Sequence, residues 1–363
     1  MGKAKAKAKK KTTGARAKRD RRRKLATEAP ASAEELLASV PGLDALQDVP
    51  AFDDLPVDAA QQAAFDDFCA QAEEPEQMQL GAVVRLDRGF PLVATADDTF
   101  RAEHAVGFAK SRGEDEVLLP AVGDRVAVRR APGHDMGVIE CVLPRRTSFE
   151  RWRGRARGER QVLCSNVDSV LIVQALGAGE VLLDRVARSL VLALDCDAEP
   201  VVVLTKADLC DNPAAKAAQA ASIAIGADVL VTSSMALDGY NQILPYISQG
   251  KTVAFVGSSG VGKSTLINRL LGDDRQDTGG LRNDGKGRHT TTHRELLMLP
   301  NGAAVIDTPG MRELGIWDAS IGLSTAFSDI EELAARCRFG DCTHKNEPGC
   351  AVRSALQRGE LSE

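Results

Sequence analysis

The sequence predicts an α/β architecture: a mostly parallel sheet with helices on both faces, a small β-barrel before it and a short helical, metal-binding segment after it. Three patterns carry that prediction. Apolar runs alternate with segments of helical spacing between Val167 and Leu271, and short β-like runs with charged turns fill Leu80 to Val142. Three cysteines and a histidine crowd together near the C-terminus.

The alternation reads Val167–Ala175 apolar, Asp184–Leu194 helical, Pro200–Leu204 apolar, Ala214–Ile225 helical, Asp228–Val231 apolar and Tyr240–Ile247 helical. Thr252–Val256, the helical Ser264–Leu271 and the apolar Ala303–Ile306 continue it. Strands that are apolar throughout must be covered on both faces, which is the signature of parallel α/β sheets. The earlier runs, Leu80–Leu86, Pro91–Ala94, Thr99–His104, Val117–Leu119, Asp124–Arg130 and Gly137–Val142, are the right number and length for a small barrel. Their spacing fits an oligonucleotide-binding (OB) barrel or an SH3-like one, and equally a purely structural β-domain.

At 363 residues the chain is long enough for two or three domains. It is 44% hydrophobic and 27% charged, and none of its apolar runs approaches the roughly 20 residues of a membrane span. No membrane role is expected. Leu25–Val40 is broken by Glu28, Pro30, Glu34 and Glu35, so a secretory signal is not expected either. Charge is strongly segregated. Residues 1–24 hold thirteen Lys and Arg against Asp20, whereas residues 25–80 hold thirteen Asp and Glu and neither Lys nor Arg. The basic block reads as a disordered arm that contacts a polyanion or neutralises the acidic stretch behind it. The acidic lead-in, residues 25–77, places helical pieces (Ala33–Val40, Asp58–Ala72) between Pro41, Pro50 and Pro56. The expected divisions are then the barrel at 78–145, the α/β domain at 146–322 and the Cys- and His-bearing C-terminal segment at 323–363. Cys69, Cys141, Cys164, Cys196 and Cys210 are scattered among apolar neighbours, which suggests reduced thiols and a cytoplasmic location. Between barrel and sheet lie seven arginines, Arg145 to Arg160, with Phe149 and Trp152 among them. Guanidinium forks suit phosphates and Trp152 suits stacking on a base, so this segment is a candidate RNA contact.

Gly257, Ser258, Ser259, Gly260, Val261, Gly262, Lys263 and Ser264 fit the phosphate-loop pattern, after a strand-like run and opening, with Thr265, a helix-like one. In such a loop backbone N–H groups surround phosphate oxygens, Lys263 reaches the β and γ oxygens and Ser264 offers its hydroxyl to Mg²⁺. Asp307-Thr-Pro-Gly310 follows an apolar run, where Asp307 suits the Mg²⁺ shell and the Gly310 N–H suits the γ-phosphate. Thr205, Lys206, Ala207 and Asp208 follow another. A carboxylate there accepts from the N1–H and amino group of guanine, a donor pair that adenine lacks, so the nucleotide is expected to be GTP or GDP. The guanine motif precedes the phosphate loop, the reverse of the usual order, so the P-loop GTPase domain is read as circularly permuted. Cys337, Cys342, His344 and Cys350 supply three thiols and an imidazole at spacings that suit one closed, structural Zn²⁺ site, whereas a disulfide would strand an odd thiol.

These motifs, with Gly287-Arg-His289-Thr290-Thr291-Thr292-His293-Arg294 and Glu347-Pro-Gly-Cys350, resemble the bacterial ribosome small-subunit-dependent GTPase A family over roughly residues 80–355. The resemblance implies an OB barrel, a permuted GTPase domain and a C-terminal zinc domain. It further implies late maturation of the small ribosomal subunit, with rRNA contact, GTP hydrolysis stimulated by that subunit, and a nucleotide state that controls rRNA affinity and release of assembly factors. A monomer is expected. Two departures stand out: Thr205 replaces the usual Asn of the guanine motif, and the charged N-terminal arm lies outside the resemblance. After Asp307-Thr-Pro-Gly310 comes Met311, which has no group to orient water, and His289 is the nearest candidate in the sequence for that task. One of Thr290–Thr292 is expected on Mg²⁺.

Overall fold

The structure, a computed structural model, describes residues 49–87, 90–105, 119–131, 133–153, 159–177, 181, 183–224, 226–233, 238–272, 294–308, 327–340 and 342–361. The basic arm, helical piece Ala33–Val40, Val117, Leu118, Arg155 and Arg157 lie outside them.

The parallel sheet contains β8 (Ser169–Ala175), β9 (Glu199–Thr205), β10 (Asp228–Val231), β11 (Thr252–Val256) and β13 (Ala304–Asp307), with β12 (Arg294–Met298) antiparallel beside β13. Its order is β10-β9-β8-β11-β13-β12. From β8 the chain builds outward to β10, then crosses over to β11 on the other side of β8. The topological switch therefore falls between β8 and β11, and ligands of open α/β sheets bind at the carboxyl ends of the strands there.

Side-chain alternation divides the core by face. Leu171, Val201, Val203, Val253 and Phe255 pack with Leu266, Ile267 and Leu270 of the helix Lys263–Leu271. Ile172, Val202, Leu204, Ala254 and Val256 pack on the opposite face with Val186, Leu190 and Ala193 of the helix Leu183–Asp195. Among the described residues the helices are, in chain order, α1 (Ala59–Gln71), α2 (Leu183–Asp195), α3 (Pro213–Ala221), α4 (Asp238–Asn241), α5 (Lys263–Leu271), α6 (Ser328–Ala334) and α7 (Ala351–Arg358). α3 begins on Pro213 with Asn212 capping Ala215 N–H, and it stops at Ala221, short of the expected Ile225.

The barrel comprises β1 (Met78–Asp87), β2 (Phe90–Thr95), β3 (Thr99–His104), β4 (Arg125–Arg129) and β5 (Met136–Val142). Its strands run β1-β2-β3-β5-β4 and close through β1–β4, with β3 and β5 parallel and the other pairs antiparallel. That connectivity is OB-type and resolves the ambiguity that strand spacing leaves. Phe100, Val83, Val93, Val126, Val128 and Ile139 fill its interior.

Three further elements differ from the sequence reading. The expected helix Tyr240–Ile247 is divided between α4, which ends at Asn241, and a 3₁₀ turn at Leu244–Tyr246. The arginine-rich stretch forms a hairpin, β6 (Ser148–Arg153) with β7 (Glu159–Ser165), because buried Phe149, Leu163 and Cys164 anchor its base in the core beneath α2. β12, absent from the sequence reading, pairs antiparallel with both β13 and β1, so parallel sheet and barrel share one eleven-stranded sheet. Arg85 spans that seam, bonding Glu295 at 2.6 Å and Asp87 at 2.9 Å.

The expected helix at Asp58–Ala72 forms, with Asp58 and Gln61 in a reciprocal capping box. Gln61 also donates to Asn166 Oδ1 and the Pro144 carbonyl, both at 3.1 Å, docking α1 on the barrel–sheet junction. Asn166 donates in turn to the Gly123 carbonyl. Asp124, fully buried, accepts from Arg145 twice at 2.7 Å, from Ser165 Oγ at 2.5 Å and from Ala121 N–H at 2.8 Å. Gly123 must be glycine, since a Cβ would lie 2.2 Å from the Ser165 carbonyl oxygen.

Candidate active site and metal centre

The three motifs converge at the carboxyl ends of β9, β11 and β13. Gly257 leaves β11 so close to β8 that a Cβ would meet the Val173 carbonyl oxygen at 2.4 Å, and Gly262 turns at φ 104° into α5. Each requires glycine. The turn between them exposes Ser259 and Gly260, while Val261 anchors it in the core. Lys263 is the first residue of α5, followed by Ser264 and Thr265, so the helix opens on a loop built to receive an anion. Its ammonium folds back onto the carbonyls of Gly257 at 2.7 Å and Ser258 at 3.1 Å. Burial pulls the Lys263 pKa below its ordinary value, with Asp307 opposing that shift. Asp307, buried, ends β13, and Thr308 Oγ1 donates to the Phe255 carbonyl at 2.5 Å, tying the end of β13 to that of β11.

The TKAD turn is bonded directly to this loop. Thr205 Oγ1 donates to the Val261 carbonyl at 2.5 Å, and Lys206, at φ 57°, donates from Nζ to the Gly260 carbonyl at 2.7 Å. The Thr205 hydroxyl thus makes the cross-loop bond even though it offers fewer polar groups than Asn. Ala207–Leu209 form a 3₁₀ turn, and Asp208 accepts from Ser233 Oγ beyond β10. Two contacts had no signal in the motifs: Ser233, and Arg185 of α2, whose Nη1 donates to Ser258 Oγ at 2.7 Å. Both come from elements adjacent only in the folded sheet. Gly310, Met311, His289 and Thr290–Thr292 lie outside the described residues.

At the C-terminus Cys337, Cys342, His344 and Cys350 place their ligand atoms within 4.8 Å of one another. Cys337 Sγ and Cys350 Sγ lie 3.9 Å apart, and His344 Nδ1 lies 3.6 and 3.4 Å from them. Tetrahedral zinc with ordinary Zn–S and Zn–N bonds separates its ligands by about 3.5–3.8 Å, so the donor set fits that metal. Backbone N–H groups of Ala351 and Arg353 point at Cys337 and Cys350 sulfurs, as they do toward thiolates. Glu347 organises the connecting loop by accepting from the N–H groups of Thr343, Lys345 and Asn346 and from the Thr343 hydroxyl. Those bonds, the Thr343 hydroxyl foremost, hold its pKa down at about 2.

A phosphate loop opening a helix, a guanine-type turn bonded to it from earlier in the chain, and an aspartate ending the neighbouring strand describe a circularly permuted P-loop GTPase. The chain belongs to the RsgA GTPase family, whose model matches residues 142–317. It is 45% identical to the small ribosomal subunit biogenesis GTPase RsgA of Opitutus terrae, over 82% of this chain and 84% of that one. Against the protein of the same name from Streptomyces coelicolor it is 43% identical, over 82% and 81%. Among solved structures it resembles YjeQ from Thermotoga maritima at TM-score 0.56 and 28% identity, covering 79% of this chain and 94% of that one. YloQ, described as a circularly permuted GTPase, gives 0.52 and 26%, covering 81% and 93%. The chain is therefore a ribosome-biogenesis GTPase that hydrolyses GTP.

Proposed function

We propose that this GTPase acts on the small ribosomal subunit, as the names of its relatives state for them, and that the residues brought together above form its nucleotide site. The observation that supports the site most strongly is the pair of hydrogen bonds from Thr205 and Lys206 to the phosphate loop, which joins the two motifs despite their inverted order. Asp208 reads the guanine edge, and its bond to Ser233 holds the carboxylate in place for the two donors. Gly257 to Gly262 surround the phosphates, and Lys263 exchanges its two loop carbonyls for phosphate oxygens. The donor set of Ser264 and Asp307 fits Mg²⁺, which when bound neutralises charge on the β and γ oxygens. Because Met311 cannot orient the attacking water, we assign that role to His289.

The Cys337, Cys342, His344 and Cys350 set would hold one Zn²⁺ closed to substrate, its part being to fold the segment that carries α6 and α7. The barrel, the arginine-bearing hairpin and the basic arm are the surfaces assigned to rRNA, with nucleotide state controlling their grip and the release of assembly factors. The protein works as a cytoplasmic monomer in this reading, with divisions at residues 78–145, 146–322 and 323–363.

GTP turnover measured with and without purified small subunits tests the reading. A marked rise with small subunits, and none with large ones, is expected; equal rates in all three would refute it. Metal analysis of the purified chain should return one zinc per molecule, and Cys350→Ser should abolish that stoichiometry. A Cys350→Ser protein that retains its zinc would exclude Cys350 as a ligand.

A further inference from the structure

Arg185 stands on the first turn of α2, exposed, and its guanidinium reaches out to the Ser258 hydroxyl at 2.7 Å. Ser258 is the second residue of the phosphate loop, and its carbonyl accepts from the Lys263 ammonium. One loop residue is therefore held by a cation on each side. The placement follows from the topology: β8, which precedes α2, pairs with β11, which runs into the loop, so the start of α2 and the loop share one edge of the sheet. Fold stability accounts poorly for this contact. An exposed arginine ordered onto a neutral hydroxyl gains about as much from the bond as its side chain loses in rotamer entropy. Its location accounts for it better, because Lys263 is the one charged side chain that the segment 257–265 itself supplies.

We propose that Arg185 is a positioning residue of the phosphate site, fixing the Ser258 peptide against which Lys263 rests and adding a further, permanent positive charge beside the bound phosphates. A guanidinium remains charged at any working pH and keeps a fixed fork, so it can grip the hydroxyl and contribute field together. GTP carries one more negative charge than GDP, so the charge favours the triphosphate; the grip on Ser258 serves both nucleotides alike. This inference rests on the assignment of residues 257–265 to phosphate.

The test compares R185A, R185K, S258A and K263A in the full chain, with GTP and GDP dissociation constants at low and high salt, kcat and KM, and the thermal midpoint without nucleotide. R185A should weaken GTP binding about tenfold and GDP about threefold, with the gap narrowing in salt. It should raise KM more than it lowers kcat. R185K should restore the preference for GTP, and S258A should weaken both nucleotides equally. Wild-type affinities in R185A, with K263A crippled, would overturn the role of Arg185 while leaving the phosphate site standing. An equal loss for both nucleotides that follows a fall in thermal midpoint, without rescue by R185K, would make the arginine merely structural and also overturn it. Normal GTP binding by K263A would bring down the phosphate-site assignment itself.

Discussion

The nucleotide loops and the barrel–sheet junction both rely on polar side chains bonded across long stretches of sequence, yet they use them in opposite ways. At the junction Asp124 is wholly buried and saturated by donors, with the Arg145 side chain nearly as deep. At the proposed nucleotide loops Lys206, Asp208, Ser259 and Gly260 are exposed or half-exposed, and Lys263 rests on two backbone carbonyls that a phosphate can replace. A buried charge paired with an opposite charge cannot serve a ligand without leaving its partner stranded, whereas a lysine that rests only on neutral backbone carbonyls can exchange them at little cost. A buried ion pair is thus what separates the structural network from the proposed functional one, more than burial alone.

The sharpest way to break that distinction is Asp124→Ala. It strands Arg145 in the interior and should cost about 3–5 kcal/mol in urea unfolding, while the folded fraction binds GTP normally. A stable mutant, or one that folds but loses nucleotide affinity, would merge the two classes. The converse is Lys263→Ala, which should lower GTP hydrolysis on the order of a hundredfold or more with the unfolding midpoint nearly unchanged. The smallest effect concerns Asp168 at the start of the parallel sheet. Burial raises its pKa, but Arg146 at 2.7 Å and the Thr252 N–H outweigh that and leave it lowered. A depressed carboxylate contributes stability that is full above its unfolded pKa, about 3.9, and is lost as pH falls through the lower folded value. Asp168→Asn should therefore flatten the acid limb of the stability curve below about pH 4 and leave neutral hydrolysis unchanged. An acid limb identical to that of the wild type would show that the Arg146–Asp168 pair contributes no stability.

What could be read from sequence divides along a similar line. β10 and β11 match the expected Asp228–Val231 and Thr252–Val256 residue for residue: β11 is buried throughout, as its apolar run between polar turns implies, whereas β10 is a half-buried edge strand that opens on exposed Asp228. The clustering of Cys337, Cys342, His344 and Cys350 was legible because their spacing is local. β12 was not: Arg294-Glu-Leu-Leu-Met carries two charges, one of which pairs with Arg85 on a strand some two hundred positions earlier. The hairpin hid beneath its arginines, since Phe149 and Leu163 are a sparse apolar signal. Arg185 is one arginine on an amphipathic helix, and only the β8–β11 pairing reveals what it meets.

The pairing of β12 with β1 also covers what would otherwise be two raw strand borders. Unpaired borders recruit foreign strands, and here each shields the other, leaving short, aspartate-fronted β10 at the far rim. A fragment carrying the parallel sheet, cut free of the barrel, would uncover the flank of β12 and offer it to a second copy as a seed for self-association.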